Sequence, residues 1–482
     1  MRHYNQTLLC DFYELTMGNG YLLSGKKDMQ ACFDLYFRKV PDNGGYAIAA
    51  GLSEMIEFLE QLHFDKEDID YLRSKNQFSE EFLQYLADFK FECDVYAVEE
   101  GTPVFPNEPL VTVKGPAIQA QLLETMLLLT INHQSLIATK ANRIVRAAQG
   151  RPVFEFGSRR AQGSNAAILG ARAAFVGGCA GTACACCEQL YGIPAVGTMA
   201  HSWIQMYDTE LEAFEAYARY YPDNCILLVD TYNVVKSGIP NAIKAYENVL
   251  KPLGKRLKGI RIDSGDITYL TKKVRKMLDE AGLEDCTIFI SNSLDEYIIR
   301  DILLQGAQIN SFGVGERLIT SKSEPVFGGV YKLVATEKDG EYVPKIKLSE
   351  NVEKITTPGY KKIYRLFSNE TGNMVADLIA LHDEEFDFTT PITRFDPLYT
   401  WKKKTFENYR VEEILKPIYL NGKLVYKTPS VIESKKYCAE QVGKLWDEVK
   451  RFENRQTYYV DLSQKLWDVK HSLLSEGAGE KK

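Results

Sequence analysis

A single histidine, His201, lies where an apolar run gives way to small and polar residues. It is one of six histidines among the 482 residues, and its segment GTMAHSW follows the apolar residues 193–196. If a strand ends here, the imidazole is either bonded to backbone groups or exposed as a reacting group at the mouth of a barrel. The residues that follow the other apolar runs help to choose between these interpretations.

Charged residues, hydroxyls and glycines follow most of the other apolar runs. Arginine side chains suit phosphate and carboxylate oxygens because their N–H groups form a planar fork. Glycines allow backbone N–H groups to surround a phosphate, and aspartates can hold ribose hydroxyls or Mg²⁺. Together these residues indicate a phosphorylated sugar as substrate. They are Arg159, Arg160, Asp230, Asp263, Asp266, Gly313, Gly315, Glu316, Arg317, Gly328 and Gly329.

Each of these residues also has an ordinary structural interpretation. Arg159 could form a surface ion pair, and Asp230 or Asp263 could cap a helix, which is the commoner role for such residues. The glycines alone are weak evidence for a phosphate site. Their shared position at predicted strand ends is what favours a binding site.

Short apolar runs alternate with helical segments from residue 153 onward, at a spacing of roughly 25–40 residues that suits βα units. This alternation predicts an α/β fold with a parallel sheet, and the number of units predicts an irregular TIM-like α/β barrel. Further strands at 175–179 and 329–336 would bring the count to eight. The other six are predicted at 153–157, 194–198, 225–230, 259–263, 287–291 and 309–315.

The composition limits the class of protein. With 45% hydrophobic and 11% aromatic residues, the chain can bury a large core. Its formal net charge of −7 disfavours nucleic acid as a ligand, because phosphate backbones select basic proteins. No apolar run reaches membrane-spanning length, and the first residues lack the apolar core of a secretory signal. We therefore expect a cytoplasmic protein with neither nucleic-acid nor membrane partners.

Ten cysteines in such a chain suggest reduced thiols. Four of them lie in the segment CAGTACACC, where Cys184 and Cys187 form a C-x-x-C pair. A zinc site would need a second pair or histidines at ligand spacing, and the segment offers neither. We interpret these residues as small thiols that pack a helix, with a redox or metal site as the alternative.

Nine segments of the chain together carry a family resemblance. They are DFYELTM, FRKVPDNGGYAIAAGL, EGTPVFPNEPLVTVKGP, FEFGSRRAQG, GTMAHS, LLVDTYNVVKSGIPNA, GIRIDSGD, FGVGERLIT and GGVYKLV. These segments resemble those of the nicotinate phosphoribosyltransferases, a group of type II phosphoribosyltransferases. The resemblance implies that nicotinate reacts with phosphoribosyl pyrophosphate to give nicotinate mononucleotide and pyrophosphate, with Mg²⁺ as cofactor and ATP as co-substrate. It also implies a homodimer with shared active sites.

The domains are predicted with the help of this resemblance. Residues 1–135, which mix helices with short strands broken by Gly and Pro turns, form an N-terminal α+β domain of the open-faced sandwich type. Residues 136–345 form the α/β barrel domain. The resemblance implies that residues 346–482 pack on the N-terminal domain, so that both ends of the chain build one α+β domain.

The resemblance implies that His201 is a catalytic residue that carries a phosphoryl group from ATP. A neutral imidazole nitrogen can attack the γ-phosphoryl group, and the hydroxyls of Thr198 and Ser202 would lie beside it. Tyr13 would reach the nicotinate site of the partner subunit. Phe156 would stack on the pyridine ring.

The resemblance also assigns the polar residues of the site. Arg159 and Arg261 would bind the nicotinate carboxylate and phosphate oxygens. Asp263, as a second catalytic residue, and Asp266 would face the ribose and Mg²⁺. The 5′-phosphate would be held by two pairs of glycines, Gly313 with Gly315 and Gly328 with Gly329.

The sequence departs from the family pattern at two places. Glu316 stands where the family commonly has threonine, and a carboxylate there would repel a phosphate unless it points away. Ala183 and Cys184 stand where many relatives have Ser-Asn, which puts side-chain contacts from that loop in doubt.

Three alternative functions remain open. A nicotinamide-using relative would be expected to carry an acidic residue near the base site, and residues 177–187 contain no carboxylate. A structural homodimer could keep the fold without the activity, although His201, Arg159 and both aspartates are present. A barrel lyase or aldolase would need a lysine or a metal cluster at a strand end, which the sequence does not offer.

Overall fold

The structure, a computed structural model, describes residues 5–477. Internal contacts divide the chain into two compact units. The first contains the residues up to Leu136, together with Val326–Pro429 and the residues from Lys436 onward. The second contains Ile137–Pro325 and Ser430–Lys435. The long helix Glu124–Ala147 begins in the first unit and ends in the second.

A six-stranded parallel sheet is the core of the second unit. Its strands carry continuous apolar runs, and Leu227, Ile260, Ile288 and Phe312 are fully buried, as expected for parallel strands covered on both faces. Across the sheet, the strands follow the order Gly181–Thr182, Val153–Glu155, Ser311–Val314, Thr287–Asn292, Gly259–Ile262 and Ile226–Leu228.

Helices connect these strands, and several begin at a polar side chain that caps the first turn. The side chains of Thr209, Asp266 and Asp295 each accept a hydrogen bond from a backbone N–H of the first helical turn. The connections also contain a 3-10 turn at Ser158–Arg160 and π-helical turns at Val234–Gly238 and Tyr246–Leu250. The α-helices are Ser164–Val176, Ala185–Tyr191, His201–Gln205, Glu210–Tyr220, Ile239–Ala245, Ile267–Glu280, Glu296–Leu304 and Glu316–Ile319.

This sheet differs from the eight-stranded barrel that the sequence predicts. Within residues 5–477, this sheet contains six strands and does not close into a barrel. The predicted strand at 194–198 contributes only an isolated parallel bridge between Ala195 and Thr182. The observed α/β fold is a parallel sheet with connecting helices.

The two additional predicted strands do not belong to this sheet. Residues 175–179 contain the end of the helix Ser164–Val176 and a glycine turn, and the strand lies two residues further on, at Gly181–Thr182. A short buried apolar run does not distinguish a helix end from a strand. Residues 329–336 do form a strand, Gly329–Lys338, but it pairs antiparallel with Gln30–Phe37 in the first unit.

The first unit contains a seven-stranded antiparallel sheet. Residues from both ends of the chain share it, because Leu415–Leu420 pairs with Asp94–Val98. Its strands follow the order Glu341–Pro344, Gly329–Lys338, Gln30–Phe37, Val111–Pro116, Asp94–Val98, Leu415–Leu420 and Lys423–Leu424.

Smaller elements complete the first unit. A four-stranded sheet has the order Tyr409–Glu413, Lys361–Ser368, Met374–Leu381 and Val460–Leu462. Two-stranded pairs join Ile392–Phe395 to Lys403–Phe406 and Ala47–Ile48 to Pro103–Val104. Its 3-10 turns are Gln6–Leu8, Pro41–Asn43 and Val352–Lys354. Its helices are Phe12–Leu23, Leu52–Gln61, Lys66–Ser74, Glu80–Ala87, Ala117–Gln121, Asp447–Lys450 and Gln464–Gly477, with part of Val431–Gly443.

The division between the units differs from the predicted domain edges. The second unit ends near residue 325 rather than 345, because the strand Gly329–Lys338 joins the antiparallel sheet. At the other edge, a continuous helix runs through the predicted boundary at 135. Within residues 5–477, no helix is both long and apolar enough to cross a bilayer.

Candidate active site

A cavity of about 460 Å³ lies at the carboxyl edge of the parallel sheet. Parallel strands that end at one edge bring the residues after them together, which is where ligands bind in open α/β sheets. Eight of the candidate residues named from the sequence line this cavity. The lining residues are Phe156, Ser158, Arg159, Arg160, Ala183, Val196, Gly197, Arg261, Asp263, Ser291, Asn292, Ser293, Gly313, Gly315 and Glu316.

His201 is the first residue of the helix His201–Gln205, and its two ring nitrogens have different surroundings. Nδ1 lies 3.0 Å from the hydroxyl oxygen of Thr231. Nε2 lies 3.9 Å from a carboxylate oxygen of Asp230 and 3.9 Å from one of Asp263. The ring is 41% exposed. Its neighbours are side chains that can bind or react, which favours the interpretation as a reacting group over that of a backbone-bonded histidine.

Asp230 brings a buried carboxylate to His201. Its Oδ2 accepts hydrogen bonds from the backbone N–H of Asp263 at 2.9 Å and from the hydroxyl of Ser264 at 2.7 Å. Its Oδ1 is buried and has no hydrogen-bond partner within the described part of the chain. A buried oxygen without a partner is costly, so this position favours a ligand that supplies one.

The guanidinium of Arg261 donates most of its hydrogen bonds to other groups of the protein. Nε donates to the hydroxyl of Ser291 at 2.7 Å, and Nη1 donates to Thr198 Oγ1 at 3.3 Å and to the carbonyl of Met199 at 3.4 Å. Nη2 donates to Asp263 Oδ1 at 3.4 Å. Four of the five N–H groups of the guanidinium are therefore engaged, and one Nη2–H is left for a ligand.

Phe156 forms an aromatic wall of the cavity. Its ring stacks on Phe289 with centroids 5.5 Å apart, and the guanidinium carbon of Arg261 lies 5.7 Å from its centroid. A Cβ at Gly313 would lie 2.8 Å from Phe156 and 2.9 Å from Phe289. Because any larger residue at position 313 would displace one of these rings, the position requires glycine. The ring of Phe156 then presents a flat surface that suits a planar ligand.

Gly315 allows two backbone segments to approach closely. A Cβ at this position would lie 2.9 Å from the carbonyl oxygen of Phe156. The short helix Glu316–Ile319 begins directly after it. Gly313 and Gly315 thus have a clear steric reason to be glycine, and both line the cavity.

Glu316 is engaged by two cations at the rim of the cavity. Its carboxylate accepts a hydrogen bond from Lys322 Nζ at 2.7 Å and lies 3.9 Å from Arg160 Nε. The hydrogen bond from Lys322, followed by the charges of Lys322 and Arg160, lowers the pKa of Glu316. The negative charge that departs from the family pattern is therefore balanced by its neighbours.

Arg159 lies in the 3-10 turn Ser158–Arg160 and is exposed. Across residues 5–477, no carboxylate forms an ion pair with its guanidinium, so the alternative of a surface ion pair applies to Arg160 instead. Arg159 thus offers the cavity a full set of N–H donors, which suits a carboxylate or a phosphate.

Two predicted residues have other surroundings. Asp266 caps the helix Ile267–Glu280, since its Oδ1 accepts a hydrogen bond from the N–H of Tyr269 at 2.9 Å. That is the ordinary role considered for such an aspartate. Ser202 is exposed on the helix that begins at His201. Thr198, by contrast, joins the site through its bond to Arg261.

Tyr13, Gly328 and Gly329 belong to the first unit. Tyr13 is 43% exposed on the helix Phe12–Leu23, and burial together with the nearby charge of Glu124 raises its pKa. The N–H of Gly329 donates to Asn132 Oδ1 at 3.0 Å, and a Cβ at Gly329 would collide with that oxygen. The roles of these three residues in ligand binding stay predictions of the resemblance.

A buried carboxylate that the sequence analysis missed supports the cavity from behind. Glu155 Oε2 accepts a hydrogen bond from Thr182 Oγ1 at 2.7 Å, and its Oε1 accepts one from the N–H of Gly157. The pKa of Glu155 is raised, because the effect of burial outweighs that of the two hydrogen bonds, which lower it. The N–H of Ala183 donates to the carbonyl of Glu155, so the loop that departs from the family pattern still forms a wall of the cavity.

The metal-binding capacity of the site is small. In the described residues, no group of three or more His, Cys, Asp or Glu side chains is arranged to hold a metal ion. Asp230 and Asp263 nevertheless present carboxylate oxygens on the same side of His201. Mg²⁺ commonly binds to one or two carboxylates together with substrate phosphates, and the partnerless Oδ1 of Asp230 fits such a ligand.

Comparison with protein families gives three matches along the chain. The N-terminal domain of nicotinate phosphoribosyltransferase matches residues 8–132, the nicotinate phosphoribosyltransferase family matches 152–386, and the C-terminal domain of that enzyme matches 360–470. The cavity residues lie within the second of these matches.

Individual relatives agree with these matches. The nicotinate phosphoribosyltransferase of Bacillus subtilis is 41% identical over 98% of this chain and 95% of its own length. The crystal structure of human nicotinic acid phosphoribosyltransferase is 30% identical and has a TM-score of 0.84, covering 97% of this chain and 100% of that one. A nicotinate-nucleotide pyrophosphorylase from Pyrococcus furiosus has a TM-score of 0.67 at 25% identity, over 92% of this chain and 99% of that one. The chain belongs to the nicotinate phosphoribosyltransferase family.

Proposed function

We propose that this enzyme transfers the phosphoribosyl group of phosphoribosyl pyrophosphate to nicotinate, giving nicotinate mononucleotide and pyrophosphate for NAD biosynthesis. One observation carries the proposal. A single cavity combines an aromatic wall, arginine side chains, a carboxylate beside a histidine and a glycine-rich turn. The aromatic wall and the arginines suit an aromatic acid, the carboxylate suits a sugar, and the glycine-rich turn suits a phosphate.

Nicotinate binds on the aromatic wall. The pyridine ring stacks on Phe156, while Arg159 and the remaining N–H of Arg261 bind the carboxylate. Ala183 lines the cavity, and residues 177–187 carry no carboxylate, whereas a relative that prefers the neutral amide would be expected to carry an acidic residue near the base site. This favours nicotinate over nicotinamide.

The sugar phosphate occupies the other side of the cavity. The backbone at Gly313 and Gly315 approaches the 5′-phosphate, and Asp263 faces the ribose. As pyrophosphate leaves, positive charge develops at C1 of the ribose, and the ring nitrogen of nicotinate forms the new bond there. The protein contributes by holding the two reactants in line and by neutralising the leaving group.

Mg²⁺ fits the carboxylates of Asp230 and Asp263, because Oδ1 of Asp230 is buried without a partner in the described chain. When bound, this ion supplies positive charge to the pyrophosphate group. Asp266 is a weaker candidate ligand than the sequence suggests, since it caps a helix.

ATP is coupled to the reaction through His201. A neutral imidazole nitrogen attacks the γ-phosphorus of ATP, and the bond from that phosphorus to the departing oxygen of ADP breaks. Hydrolysis of the resulting phosphohistidine releases inorganic phosphate and restores the imidazole. The hydroxyl of Thr231 orients the ring for this step. Tyr13 of a partner subunit completes the site in a homodimer, and the enzyme acts in the cytoplasm.

A product assay tests the proposal. The purified enzyme receives phosphoribosyl pyrophosphate and Mg²⁺ with either nicotinate or nicotinamide, each with and without ATP. Nicotinate mononucleotide that forms faster or further with ATP supports both the substrate and the coupling. Product from nicotinamide alone assigns the amide as substrate, and product from neither substrate contradicts the proposal.

A further inference from the structure

Ser291 is a buried hydroxyl that lies between two charged side chains of the cavity. It is 4% exposed and is found near the end of the strand Thr287–Asn292. Its hydroxyl oxygen lies 2.7 Å from Arg261 Nε and 2.6 Å from Asp263 Oδ1. The sequence alone predicts no role for this serine.

The chemistry of the three groups fixes the direction of both hydrogen bonds. The Nε–H of arginine can only donate, and an ionised carboxylate can only accept. Ser291 therefore accepts from Arg261 and donates to Asp263. Hydrogen bonds arranged in such a chain polarise and strengthen one another.

The strand register explains why a residue on this strand reaches both groups. Thr287–Asn292 pairs in parallel with Gly259–Ile262, with Phe289 opposite Arg261 and Ile290 opposite Ile262. Arg261 lies in the strand Gly259–Ile262 and Asp263 directly follows it, and residues two positions apart in extended backbone project to the same side. Ser291 lies one position beyond the last of these pairs, level with Asp263.

The bonds through Ser291 also determine which atoms remain for ligands. Asp263 Oδ1 is occupied by Ser291 and Arg261, which leaves Oδ2 facing His201. The Nε–H of Arg261 is occupied in the same way. The orientation of the last Nη2–H therefore depends on Ser291, and this N–H is the one left for the substrate anion.

We propose that Ser291 is a positioning residue whose hydroxyl fixes the positions of the Arg261 and Asp263 side chains relative to each other. Arg261 is thereby oriented to bind the substrate anion, and Asp263 is oriented to contact the sugar phosphate. This proposal rests on the proposed function. Neither Arg261 nor Asp263 is bonded as closely to any other described side chain.

The test compares Ser291→Ala, Ser291→Thr and Thr287→Ala with the wild type. Thr287 is the matched control, because its hydroxyl also makes a hydrogen bond but lies at the opposite end of the same strand, where it donates to the carbonyl of Lys258. Initial rates are measured against nicotinate and phosphoribosyl pyrophosphate, with Mg²⁺ and ATP, and thermal unfolding is recorded for each variant.

We expect Ser291→Ala to lower kcat/KM for nicotinate by about ten- to a hundred-fold, the range for losing hydrogen bonds to charged groups. The KM for nicotinate should rise and kcat should fall, because Arg261 and Asp263 are both released. Ser291→Thr, which keeps a hydroxyl, should recover most of the loss, and Thr287→Ala should resemble the wild type.

Two results would overturn the proposal while leaving the proposed function intact. In one, Ser291→Ala keeps wild-type KM and kcat. In the other, it lowers only the fraction of folded enzyme, with unchanged constants per folded molecule. A wild-type enzyme that forms no product from nicotinate contradicts the proposed function instead, and the two failures are thus distinguished.

Discussion

The two nitrogens of His201 differ in what they touch. A hydroxyl lies at hydrogen-bond distance from Nδ1, whereas Nε2 faces two carboxylates across 3.9 Å of space. A histidine that served only the fold would be expected to have both nitrogens satisfied by nearby groups. Nε2 has no hydrogen bond to the described part of the chain, and the side chain is 41% exposed, so this nitrogen is open to a ligand.

We predict that His201→Ala folds normally but loses the coupling of ATP hydrolysis to product formation. The side chain is 41% exposed, so its removal should cost less than about 1 kcal/mol of stability. ATP consumed per nicotinate mononucleotide formed is the measurement, with His63→Ala as the control. Stoichiometric coupling in His201→Ala would contradict the assignment, and a collapse of thermal stability would indicate a structural role.

Glu316 provides a second prediction for a single residue. Its carboxylate offsets the positive charges of Lys322 and Arg160 beside the cavity. Glu316→Gln removes one negative charge, so the KM for phosphoribosyl pyrophosphate should fall by about two- to five-fold at low salt, with a smaller effect at high salt. Glu280→Gln, which alters an exposed pair with Lys276, is the control. A raised KM in Glu316→Gln would show that the carboxylate helps binding.

Individual residues of the cavity were partly predictable from the sequence. Arg261 lies within the predicted strand 259–263 and Asp263 ends it, so their position near a strand end could be read from the pattern. The proximity of Asp230 to His201 could not be predicted, because it depends on how the start of a helix and a segment after a strand, about 30 positions apart in sequence, are arranged in space. Ser291 was missed for the same reason, since a serine ending a strand gives no signal of its partners.

At the scale of elements, the close packing of the strand Ser311–Val314 against Phe156 and Phe289 shapes the aromatic wall. The missing side chain at Gly313 is what allows both rings to lie beside the strand. The wall thus depends on one position of one strand as much as on the aromatic residues themselves.

We predict that Gly313→Ala destabilises the enzyme by about 1–3 kcal/mol, because overpacking moves Phe156 or Phe289 from its place. The KM for nicotinate should rise at least ten-fold, since the stacking surface is displaced. Denaturant unfolding and initial rates measure the two effects. Gly443→Ala is the control, because a Cβ there meets no atom within 4 Å. Unchanged kinetic constants in Gly313→Ala would mean that the pyridine ring of nicotinate does not stack on Phe156.

The type of each element was easier to predict than the sheet it joins. The strand at 329–336 was predicted correctly as a strand and incorrectly as a member of the parallel sheet. One of its two neighbours in the sheet, Gln30–Phe37, is about 300 residues distant in sequence, and no local pattern encodes such a pairing. The predicted closure of the parallel sheet into a barrel was wrong for the same reason, because closure also depends on which strands pair.

On the scale of the whole molecule, buried carboxyl groups make stability depend on pH. Glu14 is fully buried on the helix Phe12–Leu23, and its Oε2 has no hydrogen-bond partner in the described residues. Burial raises the pKa of Glu14 to about 7. The folded protein therefore holds a proton here at mildly acidic pH that the unfolded chain releases.

We predict that the protonated carboxyl group of Glu14 stabilises the folded protein at low pH. This stabilisation is lost as the pH rises through about 7, because the buried group must then ionise. Glu14→Gln, which stays neutral, should be more stable than the wild type at pH 8 by about 2 kcal/mol and nearly equal to it at pH 5. Denaturant unfolding at both pH values is the measurement, with the exposed Glu81→Gln as control. An equal difference at both pH values would contradict the role of this proton.

The antiparallel sheet of the first unit joins Asp94–Val98 to Leu415–Leu420, whereas the second unit is nearly continuous in sequence. During synthesis on the ribosome, the second unit can assemble as soon as its own residues have emerged. The first unit must wait until almost the whole chain has been translated, with the edge of Asp94–Val98 unpaired in the meantime. Molecular chaperones that shield unpaired strands would therefore be needed for the earliest part of the polypeptide rather than for the last.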